Sequence, residues 1–192
     1  MSYELKNYEH LLGIKGLSDE SLKNHFTLYE GYVKNVNSML GLLDGKELGT
    51  VEYSEIQRRF GWEWNGMRLH ELYFENLRKE QKNITAGKLR KEIERIYSSY
   101  QKWQENFTSV GTMRGIGWVI LYYDQKANEL FNVWINEHDQ GHFAGASPLL
   151  VMDVFEHAYM LDYGTKKAGY IETFSKAIDW DVVSKRFNEA IK

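Results

Sequence analysis

The sequence contains no cysteine, and this absence removes several kinds of chemistry at once. Disulfide bonds, thiolate zinc sites, iron–sulfur clusters and cysteine nucleophiles are all excluded. Any metal ion must therefore be held by histidine and carboxylate side chains. The six histidines that could contribute are His10, His25, His70, His138, His142 and His157.

The chain also lacks a long apolar run and a concentrated basic block. No apolar run approaches the roughly 18 residues that a membrane span requires. The net charge is −3, which argues against a general nucleic-acid or membrane-surface binder. We therefore expect a cytoplasmic protein with neither a nucleic-acid nor a membrane partner.

What is present is enough for a sizeable core, since 43% of the 192 residues are hydrophobic. In the N-terminal half, helical spacing of apolar residues over 17–43, with Ser18 as N-cap, predicts a long helix. Residues 43–50 have the composition of a connection, and a second helix follows, so the two should form an antiparallel hairpin. A third helix is predicted over 89–107 from one apolar stripe.

The pattern changes in the C-terminal half. β-Branched and aromatic runs predict strands at 117–124, 129–136 and 147–154. Short helices fit residues 156–161, 170–178 and 181–191. The predicted fold class is α+β: an N-terminal antiparallel helical hairpin (1–85), then a mixed domain (86–192) with a three-stranded antiparallel sheet flanked by helices.

Polar residues at apolar positions mark the candidate site. Asp153 lies within the run PLLVMDVF, where a carboxylate needs a partner or a metal. His157 follows four residues later, and His25 and His70 should project into the seam between the first two helices. Three imidazoles and one carboxylate suit iron, manganese or zinc and leave a coordination position open.

The segment DVFEHAYMLDYG, followed by YIETFSKAIDWDVVSKRF, closely resembles the C-terminal signature of the iron/manganese superoxide dismutases. The resemblance extends to HFTLYEGYVKNVN, NGMRLHELYF and GIGWVIL, and so covers almost the whole chain. It implies the family fold, one iron or manganese ion per subunit, and superoxide as substrate. Carried over by position, it makes four residues the metal ligands: His25, His70, Asp153 and His157.

The resemblance also implies a residue that hydrogen-bonds the solvent on the metal. One family position for it, four residues before the ligand in the second helix, is Gly66 here and has no side chain. His138, fifteen residues before Asp153, is the preferred candidate over Gln140 or His142. Because such hydrogen bonds tune a metal site, this residue bears on the choice between iron and manganese.

Tyr32 matches the family's active-site tyrosine, which guards access and helps to supply protons. Most members have one more residue between the ligand His25 and this tyrosine, and one residue rotates a helical position by roughly 100°. Either the helix is straighter here or Tyr32 is slightly displaced. Trp118 and Phe155 are expected to form the wall of the active site, with Phe155 in place of a common tryptophan.

The family resemblance further implies a homodimer or homotetramer, in which Glu156 reaches His157 of the partner subunit. We expect local positive potential at the site's mouth, from Lys34 or Arg68 for instance, to attract the anionic substrate. The alternative function is a structural protein with this fold and little or no turnover. A third reading is an oxygen-activating iron enzyme, but its usual two-histidine, one-carboxylate site needs room for an organic substrate.

Overall fold

The computed structural model describes residues 2–192, which form seven α-helices and three strands. Within this range, no helix is long and apolar enough to cross a membrane. The α+β class predicted from the sequence is confirmed. The helices are α1 Asp19–Leu43, α2 Val51–Glu75, α3 Lys88–Tyr97, α4 Tyr100–Gly111, α5 Met160–Tyr163, α6 Lys167–Ala177 and α7 Trp180–Ala190. The strands are β1 Gly117–Asp124, β2 Glu129–Asn136 and β3 Ser147–Asp153.

The two long helices form the predicted antiparallel hairpin. The Ser18 hydroxyl accepts a hydrogen bond from the backbone N–H of Ser21, as expected of an N-cap. The hairpin direction follows from three contacts, which join Phe26 to Phe74, Tyr29 to Glu71 and Asn35 to Glu63. Residue numbers therefore increase along α1 in the direction in which they decrease along α2, as in an antiparallel pair.

The prediction of one helix over residues 89–107 is wrong, because the chain breaks between α3 and α4. Ser98 has φ 68°, a left-handed conformation that an α-helix cannot continue through. The hydroxyl of Ser99 then accepts a hydrogen bond from the N–H of Lys102 and caps the next helix. Serine side chains compete for backbone groups in this way, so the paired serines end one helix and begin another.

The sheet has the strand order β2-β1-β3, with β1 antiparallel to both neighbours. Trp118 lies opposite Asp153 on one side, and Gly117 lies opposite Asn136 on the other. The start of β1, the end of β3 and the loop after β2 therefore meet at one edge of the sheet. Gly117 has φ 141° and its backbone passes so close to Ile135 that a Cβ would lie 1.9 Å from that carbonyl oxygen.

The C-terminal segment differs slightly from its prediction. The expected helix over residues 156–161 is a 3₁₀ turn, Glu156–Ala158, followed by the single-turn helix α5. Helices α6 and α7 lie within three residues of their predicted bounds. The domain boundary near residue 85 falls between α2 and α3 and stays a prediction.

Candidate metal centre

Four side chains from four elements of the fold converge between the hairpin and the sheet. His25 comes from α1, His70 from α2, Asp153 from the end of β3 and His157 from the turn after it. Each offers one ligand atom, and these atoms lie within 4.8 Å of one another. The structure thus brings together all four residues that the family resemblance implied as ligands.

The three imidazoles point at a single carboxylate oxygen. Asp153 Oδ2 lies 3.1 Å from His25 Nε2, 3.1 Å from His157 Nε2 and 3.7 Å from His70 Nε2. The other oxygen, Oδ1, accepts a hydrogen bond of 2.8 Å from the backbone N–H of Phe155. The carboxylate is therefore oriented by the backbone, and one oxygen faces the three rings.

His70 shows that this arrangement fits a cation. Its Nδ1 donates a 2.5 Å hydrogen bond to the carbonyl of Gly66, so its Nε2 carries a lone pair. That Nε2 is buried, and over residues 2–192 it has no hydrogen-bond partner. A lone pair that faces a carboxylate oxygen inside a protein is unfavourable unless a positive charge lies between them.

Burial and charge set the protonation of the cluster. Burial lowers the pKa of His25 and His70, and His25 lowers that of His70 further, so both rings stay neutral. Burial alone would raise the pKa of Asp153, but the charge and hydrogen bond of His157 and the bond from His25 hold it well below its usual range. Burial alone would lower the pKa of His157, but the charge and hydrogen bond of Asp153 raise it. Because metals bind neutral imidazoles and ionised carboxylates, His157 must release a proton when a metal binds.

The donor set decides the class of metal. Three imidazole nitrogens and one carboxylate oxygen without sulfur suit iron, manganese or zinc. Two of the ligands are oriented by hydrogen bonds to backbone groups, His70 through Gly66 and Asp153 through Phe155. Such support fixes ring and carboxylate orientation and is typical of metal sites.

A tyrosine and a fourth histidine adjoin the ligands. His138 is fully buried, and its Nε2 lies 2.8 Å from the hydroxyl of Tyr32. The indole N–H of Trp118 donates to His138 Nδ1 over 3.0 Å. Since Nδ1 accepts, the neutral ring carries its proton on Nε2 and donates it to Tyr32. Burial lowers the pKa of His138 to about 4, which keeps the ring neutral near pH 7.

The two alternatives to His138 lie elsewhere. Gln140 is exposed, and its backbone pairs with Asn136. The ring of His142 bonds the Tyr122 hydroxyl at 2.7 Å and the backbone carbonyl of His138 at 2.8 Å. Neither side chain takes the place beside Tyr32.

The altered spacing between His25 and Tyr32 does not carry the tyrosine out of the site. Helix α1 runs as an α-helix through both residues. The Tyr32 ring stacks 5.0 Å from that of His70 and lies over Gly66, where a Cβ would come within 2.6 Å of it. The missing side chain at Gly66 thus makes room for the tyrosine ring.

Aromatic rings enclose the cluster. Trp118 is fully buried, with its ring 5.0 Å from that of His70. Phe155 stacks on His138 at 4.8 Å and on His157 at 5.2 Å. Both residues lie where a wall was predicted, and Trp118 adds a hydrogen bond that the sequence did not indicate.

An outer layer covers Tyr32 and His138, and it joins Trp62 to Glu137 and Arg59, two residues that the sequence did not indicate. The Trp62 ring lies 4.5 Å from that of His138, and its indole N–H donates to Glu137 over 2.9 Å. The guanidinium of Arg59 lies 3.7 Å from the Trp62 ring centre. Trp62 precedes Gly66 by four residues and His70 by eight, so helical spacing places it on the face of α2 that carries these two residues.

Glu156 is not part of the cluster. Its side chain is exposed at the surface, next to His157. His157 is also the least buried of the ligands, with 25% of its side chain exposed. Two apolar residues of helix α5, shortly after His157, are also exposed, Met160 to 46% and Leu161 to 52%. The site is therefore nearest to the surface on the face that carries Glu156.

Comparison with known proteins points to one family. The profile of the C-terminal domain of iron/manganese superoxide dismutases matches residues 85–186. An iron superoxide dismutase of Cupriavidus metallidurans is 33% identical over 185 residues, which cover 93% of this chain and 92% of that protein. A manganese superoxide dismutase of Haloferax volcanii, designated 2, is 32% identical over 197 residues, which cover 100% of this chain and 98% of that protein.

A third relative shows that the similarity spans both halves of the chain. The iron superoxide dismutase of Aquifex pyrophilus is 32% identical over 201 residues, covering 99% of this chain and 94% of that protein. Relatives named for iron and for manganese thus match to a similar degree. The donor set is compatible with iron, manganese or zinc, and the similarity narrows the metal to iron or manganese.

Proposed function

Because the chain belongs to the iron/manganese superoxide dismutase family, we propose that it is an enzyme that converts superoxide to dioxygen and hydrogen peroxide. The observation that carries this function is the convergence of three imidazoles on one oxygen of Asp153, with His70 Nε2 lacking a hydrogen-bond partner among the described residues. A mononuclear iron or manganese ion would be held there by His25, His70, Asp153 and His157. When bound, the metal supplies a one-electron couple that accepts an electron from one superoxide and returns it to a second.

The protein's own part in the reaction is the handling of protons. Two superoxide ions and two protons give one dioxygen and one hydrogen peroxide, so protons must reach the dioxygen that is reduced. We assign their delivery to the Tyr32 hydroxyl and His138 Nε2. Because His138 donates to Tyr32, the tyrosine can aim its own hydroxyl hydrogen elsewhere, toward the product. Burial, reinforced by the charge of Asp153, raises the pKa of Tyr32, which keeps that hydrogen in place.

The wall residues limit what can enter. Trp118, Phe155 and Trp62 enclose the space around His138 with aromatic rings. A site enclosed in this way strengthens the electrostatic effect of each polar group and favours a small substrate over a bulky one. This geometry supports superoxide as substrate and argues against an enzyme that binds an organic molecule at the metal.

We revise the source of the positive potential that attracts superoxide to the site. Lys34 is exposed on α1, while Arg68 pairs with Glu71 and lies over the rings of Tyr3 and Trp64. Arg59, on Trp62, is the cation in contact with the layer that covers Tyr32 and His138. We therefore transfer the proposed attraction of superoxide to Arg59.

We further propose a homodimer in which Glu156 bonds His157 of the partner subunit, with homotetramers as a further assembly. Support comes from the exposed Glu156, the partly exposed His157 and the apolar Met160 and Leu161 on the same surface. Sedimentation of the wild type and of Glu156→Gln over a range of protein concentrations tests the assembly. The variant should have the higher dimer dissociation constant, so it should be monomeric at concentrations at which the wild type is still dimeric. Equal dissociation of the two would reject the bridge. The cytoplasmic location stays a prediction of the sequence.

The test of function is turnover per bound metal ion after the apoprotein is reconstituted separately with iron and with manganese. We expect one ion per chain and fast superoxide removal with at least one of the two metals. Activity with only one would identify the cofactor, and activity with both would define a cambialistic enzyme. Stoichiometric binding without turnover would overturn the enzyme in favour of the structural alternative.

Two variants separate proton delivery from metal binding. His138→Ala should keep one metal ion per chain but lose about 10- to 100-fold in activity, which is typical when a hydrogen-bond partner beyond the ligands is removed. Tyr32→Phe keeps the ring and loses only the hydroxyl, so its metal content should also be unchanged. If both variants matched the wild type in turnover, the assigned proton route would be wrong.

A further inference from the structure

The loop of residues 137–146, between β2 and β3, carries His138 into the site, and we call it the His138 loop. It begins with a tight closure, in which Asn136 and Gln140 exchange backbone hydrogen bonds of 2.9 and 3.2 Å. Glu137 adopts φ 51°, a conformation that residues other than glycine rarely take. The position of His138 therefore depends on contacts that keep this loop in an uncommon shape.

Two kinds of contact hold His138 itself. Its ring is fixed by Trp118 and Tyr32, as described above. Its backbone carbonyl accepts a hydrogen bond of 2.8 Å from His142 Nε2, four residues along the same loop. The ring contacts set the rotation of the imidazole, and the carbonyl contact sets where the backbone beneath it lies.

The roles of the His142 nitrogens follow from their partners. A carbonyl oxygen can only accept, so Nε2 carries the proton and Nδ1 of the neutral ring has a lone pair. The hydroxyl of Tyr122 lies 2.7 Å from Nδ1 and donates to it. Burial raises the pKa of Tyr122 to about 12, so this hydroxyl keeps its hydrogen at physiological pH.

Tyr122 provides the fixed end of the chain of hydrogen bonds. It belongs to β1, the central strand, and only 4% of it is exposed. The register of β1 with β3 shifts between Leu121 and Tyr122, a local irregularity of the kind that redirects a side chain. A chain of hydrogen bonds therefore links the central strand to the His138 ring, running from Tyr122 through His142 to the backbone of His138.

We infer that His142 is a positioning residue, which acts through the His138 carbonyl to hold the His138 ring at its place beside Tyr32 and the metal ligands. The inference rests on the proposed function, since it deepens the role given there to His138. Catalytic groups must be held within about 0.5 Å of their working geometry by the groups around them. Loss of the His142 bond leaves the His138 carbonyl unpaired and removes the hydrogen-bonded link from the backbone of the loop to Tyr122.

The experiment compares His142→Ala, His142→Gln and Tyr122→Phe in the metal-loaded enzyme. We expect His142→Ala to keep one metal ion per chain while activity per ion falls about three- to tenfold, less than for a direct partner of the metal site. The midpoint potential and the visible absorption of the oxidised enzyme should shift as well. A glutamine side chain can donate to the His138 carbonyl and accept from Tyr122, so His142→Gln should restore the wild-type midpoint potential and visible absorption. Tyr122→Phe should shift them in the same direction by less.

The neighbouring loop residue Phe143 gives the matched control, because its ring stacks on Tyr122 without entering the hydrogen-bond chain. Phe143→Ala should leave potential and turnover at the wild-type values. If it reproduced the effects of His142→Ala and glutamine failed to restore them, ordinary packing would explain the loss and the inference would fail.

Two outcomes separate this inference from the proposed function. If Tyr122→Phe and His142→Ala both kept the wild-type potential and turnover, His142 would have no positioning role although the enzyme is active. If His142→Ala did not fold, Tyr122→Phe would decide alone by the same two readouts. An inactive wild type with bound metal would instead refute the proposed function.

Discussion

Two buried polar clusters join helix α2 to strand β3, and they differ in how far the protein itself satisfies them. The first is the metal-ligand cluster, which links His70 to Asp153. The second, which we call the clamp, consists of Asn76 and Arg186 with the backbone groups that they bind. Both lie between the hairpin and the sheet, so a comparison separates what serves the fold from what serves the metal.

Protein groups satisfy the clamp. The Asn76 amide donates to the carbonyl of Val151 over 3.2 Å and accepts from the Val151 N–H over 2.8 Å. Arg186 donates to the carbonyls of Leu149 and Leu72. Val151 belongs to an edge strand, so Asn76 replaces the partner that its backbone groups would otherwise lack.

The metal-ligand cluster lacks that completeness. His70 Nε2 has no hydrogen-bond partner over residues 2–192, and three rings share one oxygen of Asp153. A buried polar cluster that protein atoms leave incomplete is costly unless something else binds there. The clamp lies against the same helix and strand, yet its polar groups are paired. The missing hydrogen-bond partner of His70 is therefore a feature of the metal site and not of the contact between α2 and β3.

The largest expected effect comes from breaking the metal-ligand cluster at Asp153. Asp153→Ala removes the only carboxylate of the ligand set, so we expect a folded protein without stoichiometric metal or turnover. In the wild type, metal at 1,000 times its Kd should stabilise the fold by about 4 kcal/mol. This corresponds to a rise of about 8–16 °C in unfolding temperature.

Thermal unfolding with and without added metal measures the difference. The rise should be absent in Asp153→Ala and unchanged in Asp181→Ala, which removes an exposed carboxylate of α7. A full metal-dependent rise in Asp153→Ala would contradict the assignment of this aspartate as a ligand.

Breaking the clamp should have the opposite signature. Asn76→Ala leaves the N–H and the carbonyl of Val151 unpaired, at a cost of about 1–3 kcal/mol each. We expect the apoprotein to lose about 2–6 kcal/mol of stability, while activity per bound metal ion stays near wild type. Asn83→Ala removes an exposed amide and serves as the control for denaturant unfolding. Wild-type stability in Asn76→Ala would show that the clamp contributes little.

A smaller change sharpens the comparison beside the ligands. A Cβ at Gly66 would lie 2.6 Å from the Tyr32 ring, so Gly66→Ala must displace that ring from His138. Activity per metal ion should fall about tenfold with metal content unchanged. Gly61→Ala, on the same helix, meets no atom within 4 Å and should keep full activity. It should also gain about 0.5–1 kcal/mol of stability from lower backbone entropy. Full activity in Gly66→Ala would show that the tyrosine's position is not critical.

The same comparison explains what could be read from the sequence. The ligands were predictable because a carboxylate in an apolar run and a family signature coincide at residues 153–157. The strands matched because their apolar and aromatic runs are bounded by turn residues. The break at Ser98 was missed because an apolar stripe continues across it, and a capping serine overrides that stripe only locally. The Tyr122–His142 chain and the stacking of Arg59 on Trp62 were missed because each depends on side chains brought together by the folded loops.

The smallest expected effect concerns the charge at the entrance. Arg59 contacts Trp62 but also pairs with Glu63 at 2.8 Å, and this carboxylate offsets much of its field. Arg59→Gln should therefore lower kcat/KM by only about two- to threefold at low ionic strength, and the difference should vanish near 1 M salt, where the Debye length is about 3 Å. Arg58→Gln removes the adjacent exposed cation, which pairs with Glu55, and should change the rate less. Equal losses in the two variants would mean that superoxide responds to net charge alone, and that stacking on Trp62 gives Arg59 no special part in its approach.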